Sequence, residues 1–370
     1  MKILNKKISL TPTKLLSSLI IQYFIYQILM MGINPTGGNW YFTILLKIKY
    51  SFNTFFGNFK LSIGDCFYIL LGILFIYSLF KIIIFLFKKE KSKAIKHSIF
   101  ILFTINFLYG WFMLSFGLLY SQKPFTNYQQ NKEHNYLDDY KIVANHLLNE
   151  CIELREKLPS TKSGELYIGN DIINELYQEQ SAVYGIPLQK SNVKNSLFSL
   201  WLTKIGVLGY YNPFTGEAQT VNGLPPTSYP FTIAHEMGHQ AGIAREDDAN
   251  FYAFYMGESS SIQSFQYSVK YKALQYILRE IYIDDSTFVH RIINNYSTLM
   301  KKDREIEIKY YSLISDLGSD AFSVLNNAYL RSNSQNEGIV AYNQVSNMIV
   351  NFYKGQYPSL FTNEALIKGK

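Results

Sequence analysis

Two histidines four residues apart, with a glutamate directly after the first, form the pentapeptide His235-Glu236-Met237-Gly238-His239. On an α-helix, positions four apart share a face, so the two imidazoles can offer nitrogens to one metal ion. Glu236 lies one residue round from His235, near enough to reach a water on that ion without ligating it, which is the position of a general base. A hydrolytic zinc ion (Zn2+) needs three protein ligands and one open position, so a third donor must follow. Gly242 can take a positive φ, end the helix and turn the chain back. Glu246 then opens a second helix, with Asn250 one turn further on the same face. Glu246 is the expected third ligand. Asp247 and Asp248 are rivals for that role, although an acidic pair in a first turn also complements the helix dipole.

The run Glu246-Asp247-Asp248-Ala249-Asn250 resembles the Glu-x-x-Ala-Asp segment of zincins whose third ligand is glutamate, where the acidic residue four further on orients a ligand histidine. Asn250 stands in that place here, a departure that keeps a hydrogen bond to a ligand and removes its charge. The gap from His239 to Glu246 is shorter than in most such zincins and nearer the HExxHxxGxxH spacing of metzincins, whose third histidine would fall on Arg245, which cannot ligate. With three hydrophobic segments, then Gly209-Tyr210-Tyr211-Asn212-Pro213-Phe214-Thr215-Gly216-Glu217-Ala218, then HEMGHQAGIAREDDANF, the chain is similar over nearly its full length to a bacterial membrane family, domain of unknown function 3810. That resemblance implies a zincin-like metallopeptidase and names no substrate.

At 370 residues the chain has room for two domains, and 48% hydrophobic with 16% aromatic residues is rich for a soluble protein. Most of the excess precedes residue 121, in three runs long enough to cross a bilayer, at about 15–33, 63–87 and 99–120. The formal charge of +7 is split: residues 1–123 carry +12 and the remainder −5. The part holding the histidines is therefore acidic and has no basic stripe interleaved with aromatics, which excludes a nucleic-acid surface. Cys66 falls in a hydrophobic run and Cys151 in a helical pattern far from it, so there is no disulfide framework.

Lys2, Lys6, Lys7 and Lys14 precede the first run, which reads as an uncleaved helix because no small-residue cleavage site follows. Lys88, Lys89, Lys91, Lys93 and Lys96 follow the second and fix that loop in the cytoplasm. The expectation is a multi-pass protein of the bacterial inner (cytoplasmic) membrane, with its N-terminus cytoplasmic and everything after Tyr120 outside, in the periplasm where an outer membrane exists. Asn34 to Gly38 breaks the first helix, and Trp40, Tyr41 and Tyr50 suit an interface. Ile44 to Lys49 is either an amphipathic piece on the membrane surface or a short helix packed within the protein. The stretch from Phe231 to Ala244 is too short to span and carries three ionisable residues, which argues against cleavage inside the bilayer.

The fold class follows: mainly α, with three N-terminal transmembrane helices (domain 1–120) and then a helical zincin-like domain (121–370) with a short β-hairpin before the HExxH helix. After a polar linker from Gln122 to Glu133, helical periodicity covers about 136–157 and 171–184. Lys204 to Tyr211 has strand composition and can pair back through Glu217 to Val221. Leu208, Gly209, Tyr210 and Tyr211 are the candidates for holding an extended substrate by strand addition, against the plainer reading of a structural hairpin. Further helices are expected at 261–283, 286–300, 304–316, 321–330 and 338–353.

The function this supports is a membrane-anchored zinc metallopeptidase acting on a peptide or protein of the cell envelope, with Glu236 as base. Tyr210, Tyr211, Tyr252, Tyr255 and His290 stand equal as donors to a developing oxyanion. Two other classes compete: a non-catalytic membrane receptor or assembly factor stapled by zinc, and a helical membrane scaffold without metal.

Overall fold

The computed structural model describes residues 11–32, 40–122, 136–184, 193–314, 320, 323–324 and 341–362. The expected break at Asn34–Gly38, most of the linker from Gln122 to Glu133 and most of the helix at 321–330 lie outside the described residues.

Near-continuous apolar sequence gives α3 (Ile63–Phe87) and α4 (Lys91–Ser115), a helical pair joined by the turn Lys88–Glu90. Among the described residues these two helices are long and apolar enough to cross a membrane. The lysine loop is shorter than expected: Lys91, Lys93 and Lys96 already belong to the first turns of α4, and Lys93 pairs with Glu90 at 3.0 Å. The first expected span is occupied by α1 (Pro12–Gly32). It clasps α4 through polar side chains: Ser18 Oγ and Gln22 Nε2 donate to Asn106 Oδ1 at 2.8 and 2.9 Å, and Asn106 Nδ2 returns to Gln22 Oε1 at 3.0 Å.

Of the two readings for Ile44–Lys49, the packed helix is the one observed. It belongs to α2 (Trp40–Gly57), whose Phe42 and Leu45 are buried with Phe116, Leu119 and Tyr120 from the 3₁₀ turn Gly117–Ser121 and its entry, together with Tyr211 and Ala244.

The rest of the chain is a helical bundle with one small sheet. α5 (Leu137–Lys157) presents Val143, Leu147 and Cys151, all fully buried, at the three-four spacing read from the sequence. α6 (Ile172–Tyr184), α8 (Tyr229–Gln240), α9 (Glu246–Glu258), α10 (Gln263–Asp284) and α13 (Ala341–Gln356) surround the same core. The segment 286–316 divides differently from expectation, into α11 (Ser286–Asn294) and α12 (Thr298–Tyr311). The break falls at Asn295–Ser297 because the Ser297 side chain accepts from Met300 N and caps the second helix. α12 is tied to α5 by the buried pair Arg155 and Asp303, 2.6 Å apart, with Tyr267 OH donating to the same carboxylate at 2.7 Å.

The hairpin is present as β2 (Gly209–Asn212) and β3 (Glu217–Thr220), antiparallel with Gly209 opposite Thr220 and Tyr211 opposite Ala218. Its turn closes through Asn212 Oδ1, which accepts from Phe214 N and Thr215 N, and through Gly216 at φ 71°. Residues 204–208 are not strand: Lys204 ends a short helix, α7 (Ser199–Lys204). A third strand, β1 (Val193–Asn195), runs parallel to β3, giving the order β1-β3-β2. Three residues without alternation left no sequence signal for it.

β3 also docks the start of α3. The fully buried Glu217 carboxylate accepts from Ile63 N at 3.2 Å and Gly64 N at 2.6 Å, which are otherwise unpaired donors in the first turn of α3, and from Thr215 Oγ1 at 2.8 Å. Lys194 of β1 completes an ion pair with it and donates to Phe56 O at 2.8 Å and Leu61 O at 3.0 Å. Glu217→Ala strands the Lys194 ammonium in a buried site, a loss of about 3–5 kcal/mol. Thermal unfolding of the full chain in detergent is expected to show this destabilisation, and Glu217→Gln, which keeps an acceptor for the two amides, is expected to lose less.

Candidate metal centre

The sequence folds locally to bring three donors together. α8 begins with Pro230 in its first turn and is pinned where Phe231 N donates to Ser268 Oγ at 3.1 Å. Gly238 allows the Tyr252 ring of α9 to lie against the helix, since a Cβ there would stand 3.0 Å from it. Gly242 takes φ 98°, with Gly242 N donating to His239 O and Ile243 N to Gly238 O, and the chain reverses into α9. This is the turn expected from its glycine.

The reversal carries Glu246, the first residue of α9, to the two histidines. Its Oε2 lies 3.3 Å from His235 Nε2 and its Oε1 3.6 Å from His239 Nε2. Ligand atoms of all three residues fall within 4.8 Å of one another. Two donors bound tetrahedrally to zinc at about 2.05 Å stand roughly 3.3 Å apart, so this donor set and spacing fit the ion. His239 Nδ1 is 2.7 Å from Ile243 O. A proton on that nitrogen, donated to the carbonyl, leaves Nε2 with its lone pair directed at the site. His235 Nδ1 has no hydrogen-bond partner among the described residues.

Asp247 and Asp248 point elsewhere. Arg245 Nη2 donates to Asp247 Oδ2 at 2.9 Å and Arg245 Nε lies 3.5 Å from Asp248 Oδ2. Arg245, the residue at the metzincin third-histidine position, thus holds the acidic pair that competed with Glu246. Asn250 lies beside His235 and accepts from Tyr276 OH at 3.3 Å.

The charges are interdependent. Burial disfavours protonated His235, but the neighbouring Glu246 and Glu236 carboxylates outweigh it and raise its pKa. His239 is pushed down to about 4 by burial. Burial would raise Glu246, yet the two imidazoles hold it at about 2. Glu236 is pushed up to about 8 by burial, and its Oε2 accepts no hydrogen bond among the described residues. β2 passes directly over it: a Cβ on Gly209 would stand 2.8 Å from Glu236 Oε1 and 2.7 Å from Gln219 O, so only glycine permits this approach.

Residues with no sequence signal complete the surroundings. Lys49 of α2 is buried and donates to His239 O at 2.9 Å, with Nζ 4.5 Å from the centre of the Tyr211 ring. Burial pushes this ammonium down to about 7, and it has no ion-pair partner among the described residues. The Phe116 ring meets His239 edge-on at 5.8 Å. A Cβ on Gly242 would stand 2.9 Å from Leu46, so α2 also closes over the turn.

These groups line a cavity of about 940 Å³ whose wall includes His235, Glu236, His239, Glu246 and Asn250 on one side and Leu208, Gly209, Tyr210 and Tyr211 on the other. β2 is an edge strand of the sheet, and all four residues named from the sequence border the cavity. Of the five oxyanion candidates only Tyr210 and Tyr211 line it. Tyr210 OH donates to Asp65 of α3, whereas the buried Tyr211 hydroxyl has no hydrogen-bond partner among the described residues. Tyr252 bonds Gln180 in the core, and His290 packs on Tyr282.

The family model described as "Protein of unknown function (DUF3810)" matches residues 41–350. The chain belongs to this family. The matched span runs from α2 into α13, so the DUF3810 unit includes the helices that could cross a membrane as well as those that bring His235, His239 and Glu246 together. No curated protein and no solved structure matches the chain.

Glu236 supplies a pH test. A carboxyl whose folded pKa is raised stabilises the fold below its unfolded value, and that stability is lost as pH rises through the folded value. After chelator treatment, the stability of wild type relative to Glu236→Gln is expected to fall by a few kcal/mol between about pH 4.5 and pH 8, while the lowered pKa values of His239 and Lys49, which work in the opposite direction, act in both proteins. Denaturant midpoints measured across this range check it.

Proposed function

We propose that this DUF3810 member is a membrane-anchored zinc metallopeptidase of zincin type. The observation that carries the reading is the convergence of His235, His239 and Glu246 beside a buried carboxyl, Glu236, which has an oxygen free of hydrogen bonds among the described residues and borders a large cavity. A site that only staples helices together has no use for such a base.

Zinc, when bound by these three residues, supplies Lewis acidity towards a carbonyl oxygen and acidifies a water. Glu236 takes the proton of the attacking water and delivers it to the departing amine nitrogen, so one water is consumed and an acid and an amine leave. With the site loaded, Glu236 would stand as its carboxylate, the form that acts as a base. Leu208 and the edge of β2 from Gly209 to Tyr211 hold an extended peptide by main-chain hydrogen bonds across the cavity. Tyr211, whose phenol is kept protonated by burial, donates to the developing oxyanion.

The orientation follows from the lysines that flank the hydrophobic segments: the N-terminus and the α3–α4 turn in the cytoplasm, three spans with α1 as the first, and the cavity outside. The substrate is then a peptide or protein of the cell envelope.

Elemental analysis of the full chain is expected to find one zinc per chain. Glu246→Ala is expected to lose the metal. Glu236→Gln is expected to keep it while hydrolysis of a quenched-fluorophore peptide library falls by roughly 1000-fold. Undiminished hydrolysis by Glu236→Gln would refute the scheme. Tyr211→Phe is expected to lower kcat by roughly 100-fold with KM little changed, as befits a group that acts on the oxyanion. A change confined to KM would remove Tyr211 from that role.

A further inference from the structure

Around the N-terminus of α3, two separate stretches of chain expose large apolar side chains side by side. The first is the end of α2 and the link to α3, where Phe55, Phe59 and Leu61 are 61%, 45% and 60% exposed. The second is α7 and its entry, where Leu197, Leu200 and Trp201 are 49%, 87% and 63% exposed. Hydrogen bonds hold the two stretches together at the same level. Lys194 Nζ, just before the second, donates to Phe56 O and Leu61 O in the first. Leu197 N and Ser196 Oγ donate to Asp65 Oδ2, in the first turn of α3, at 2.7 and 3.1 Å.

The opposite face of α7 is already committed, with Leu202 and Ile205 buried among Val221, Leu224 and Tyr310. The exposed face is not covered by the described residues. Asp65 is the third residue of α3, roughly 3 Å of helix rise from its start. Immediately beyond it α3 becomes a continuous apolar surface, with Ile69, Ile73 and Ile76 exposed. An apolar collar continuous with a membrane-crossing helix, and carrying a tryptophan, has the composition of the zone between headgroups and acyl chains.

We propose that Phe55, Phe59, Leu61, Leu197, Leu200 and Trp201 form a lipid-facing collar that seats the domain in the outer rim of the bilayer. Trp201 and Leu202 also line the catalytic cavity, so its mouth opens beside this collar and takes polypeptide at the membrane surface. The inference rests on α3 crossing the bilayer, and its test separates the two ideas.

The chain contains three tryptophans, so Trp40→Phe with Trp111→Phe leaves Trp201 as the reporter. The full chain is reconstituted in phosphatidylcholine vesicles whose acyl chains carry bromine either near the headgroup or near the bilayer centre. Trp201 is expected to emit at short wavelength, to lose roughly half its emission to the shallow bromine and to lose much less to the deep one. In the same background with Trp201→Phe, Phe75→Trp at the middle of α3 is expected to be quenched most by the deep bromine. Deep quenching at position 75 with none at Trp201 overturns the collar and leaves the span intact. Short-wavelength emission from an unquenched Trp201 assigns the surface to a second copy or to substrate, which also overturns it. Absence of quenching at both positions removes the membrane reading and the collar together. A nitroxide on Leu200→Cys, with the exposed Cys66 replaced by Ala and Cys151 buried, gives the same decision with all tryptophans native. The collar requires it to be more accessible to oxygen than to a polar nickel chelate, and the reverse order overturns it.

Discussion

The buried carboxylate of Glu217 is the constraint around which the two halves of the molecule meet. Removing such a charge from water costs several kcal/mol unless its lone pairs are filled. Here they are filled by two amides of α3, a threonine hydroxyl and the Lys194 ammonium. Each of these partners is itself buried, or at a helix terminus that lacks intrahelical acceptors, so the parts solve one another's desolvation problem. The result fixes the height of the sheet relative to the end of an apolar helix. Because β2 is the neighbour of β3, it fixes the cavity wall as well.

That placement explains how little freedom the site has. β2 lies so close to Glu236 that position 209 admits no side chain, and the turn at Gly242 is closed over by Leu46. Lys49 caps the carbonyl of His239 from the same helix that carries Leu46. A carboxyl held in a low-dielectric wall, with an oxygen that accepts no hydrogen bond among the described residues, is costly to folding and is the kind of group retained where it meets a ligand. The neighbouring His235 imidazole lessens this cost, whereas the like charge of the Glu246 carboxylate adds to it.

The division of labour along the chain is not the one that composition suggests. Hydrophobic content drops near residue 120, but α2 and the 3₁₀ turn after α4, both before that point, contribute Phe42, Leu45, Phe116 and Tyr120 to the cluster against Tyr211 and Ala244. The family match, which starts at residue 41, has the same extent as this structural unit on the N-terminal side.

The sequence by itself determined whatever depends on neighbours within a turn or two. The four-residue spacing of His235 and His239, the left-handed turn at Gly242, the helices α5, α6, α8, α9 and α10, and the hairpin from Gly209 to Thr220 are local, set by periodicity, glycine and turn chemistry. The long apolar runs of α3 and α4 were equally plain, because a segment with at most one charge in twenty residues has few other uses. Only the tertiary structure decided the rest. It chose Glu246 over Asp247 and Asp248 as the carboxylate that meets the histidines, because Arg245 draws the aspartates away. It narrowed the cavity-lining oxyanion candidates to Tyr210 and Tyr211, and by turning Tyr210 towards Asp65 left Tyr211 as the one whose hydroxyl has no partner among the described residues. It also brought Lys49 and Glu217 to positions whose meaning lies more than a hundred residues away. Contacts of that separation depend on how whole elements pack, and packing is a property of shape and buried charge summed over the fold, which no local pattern of residues encodes.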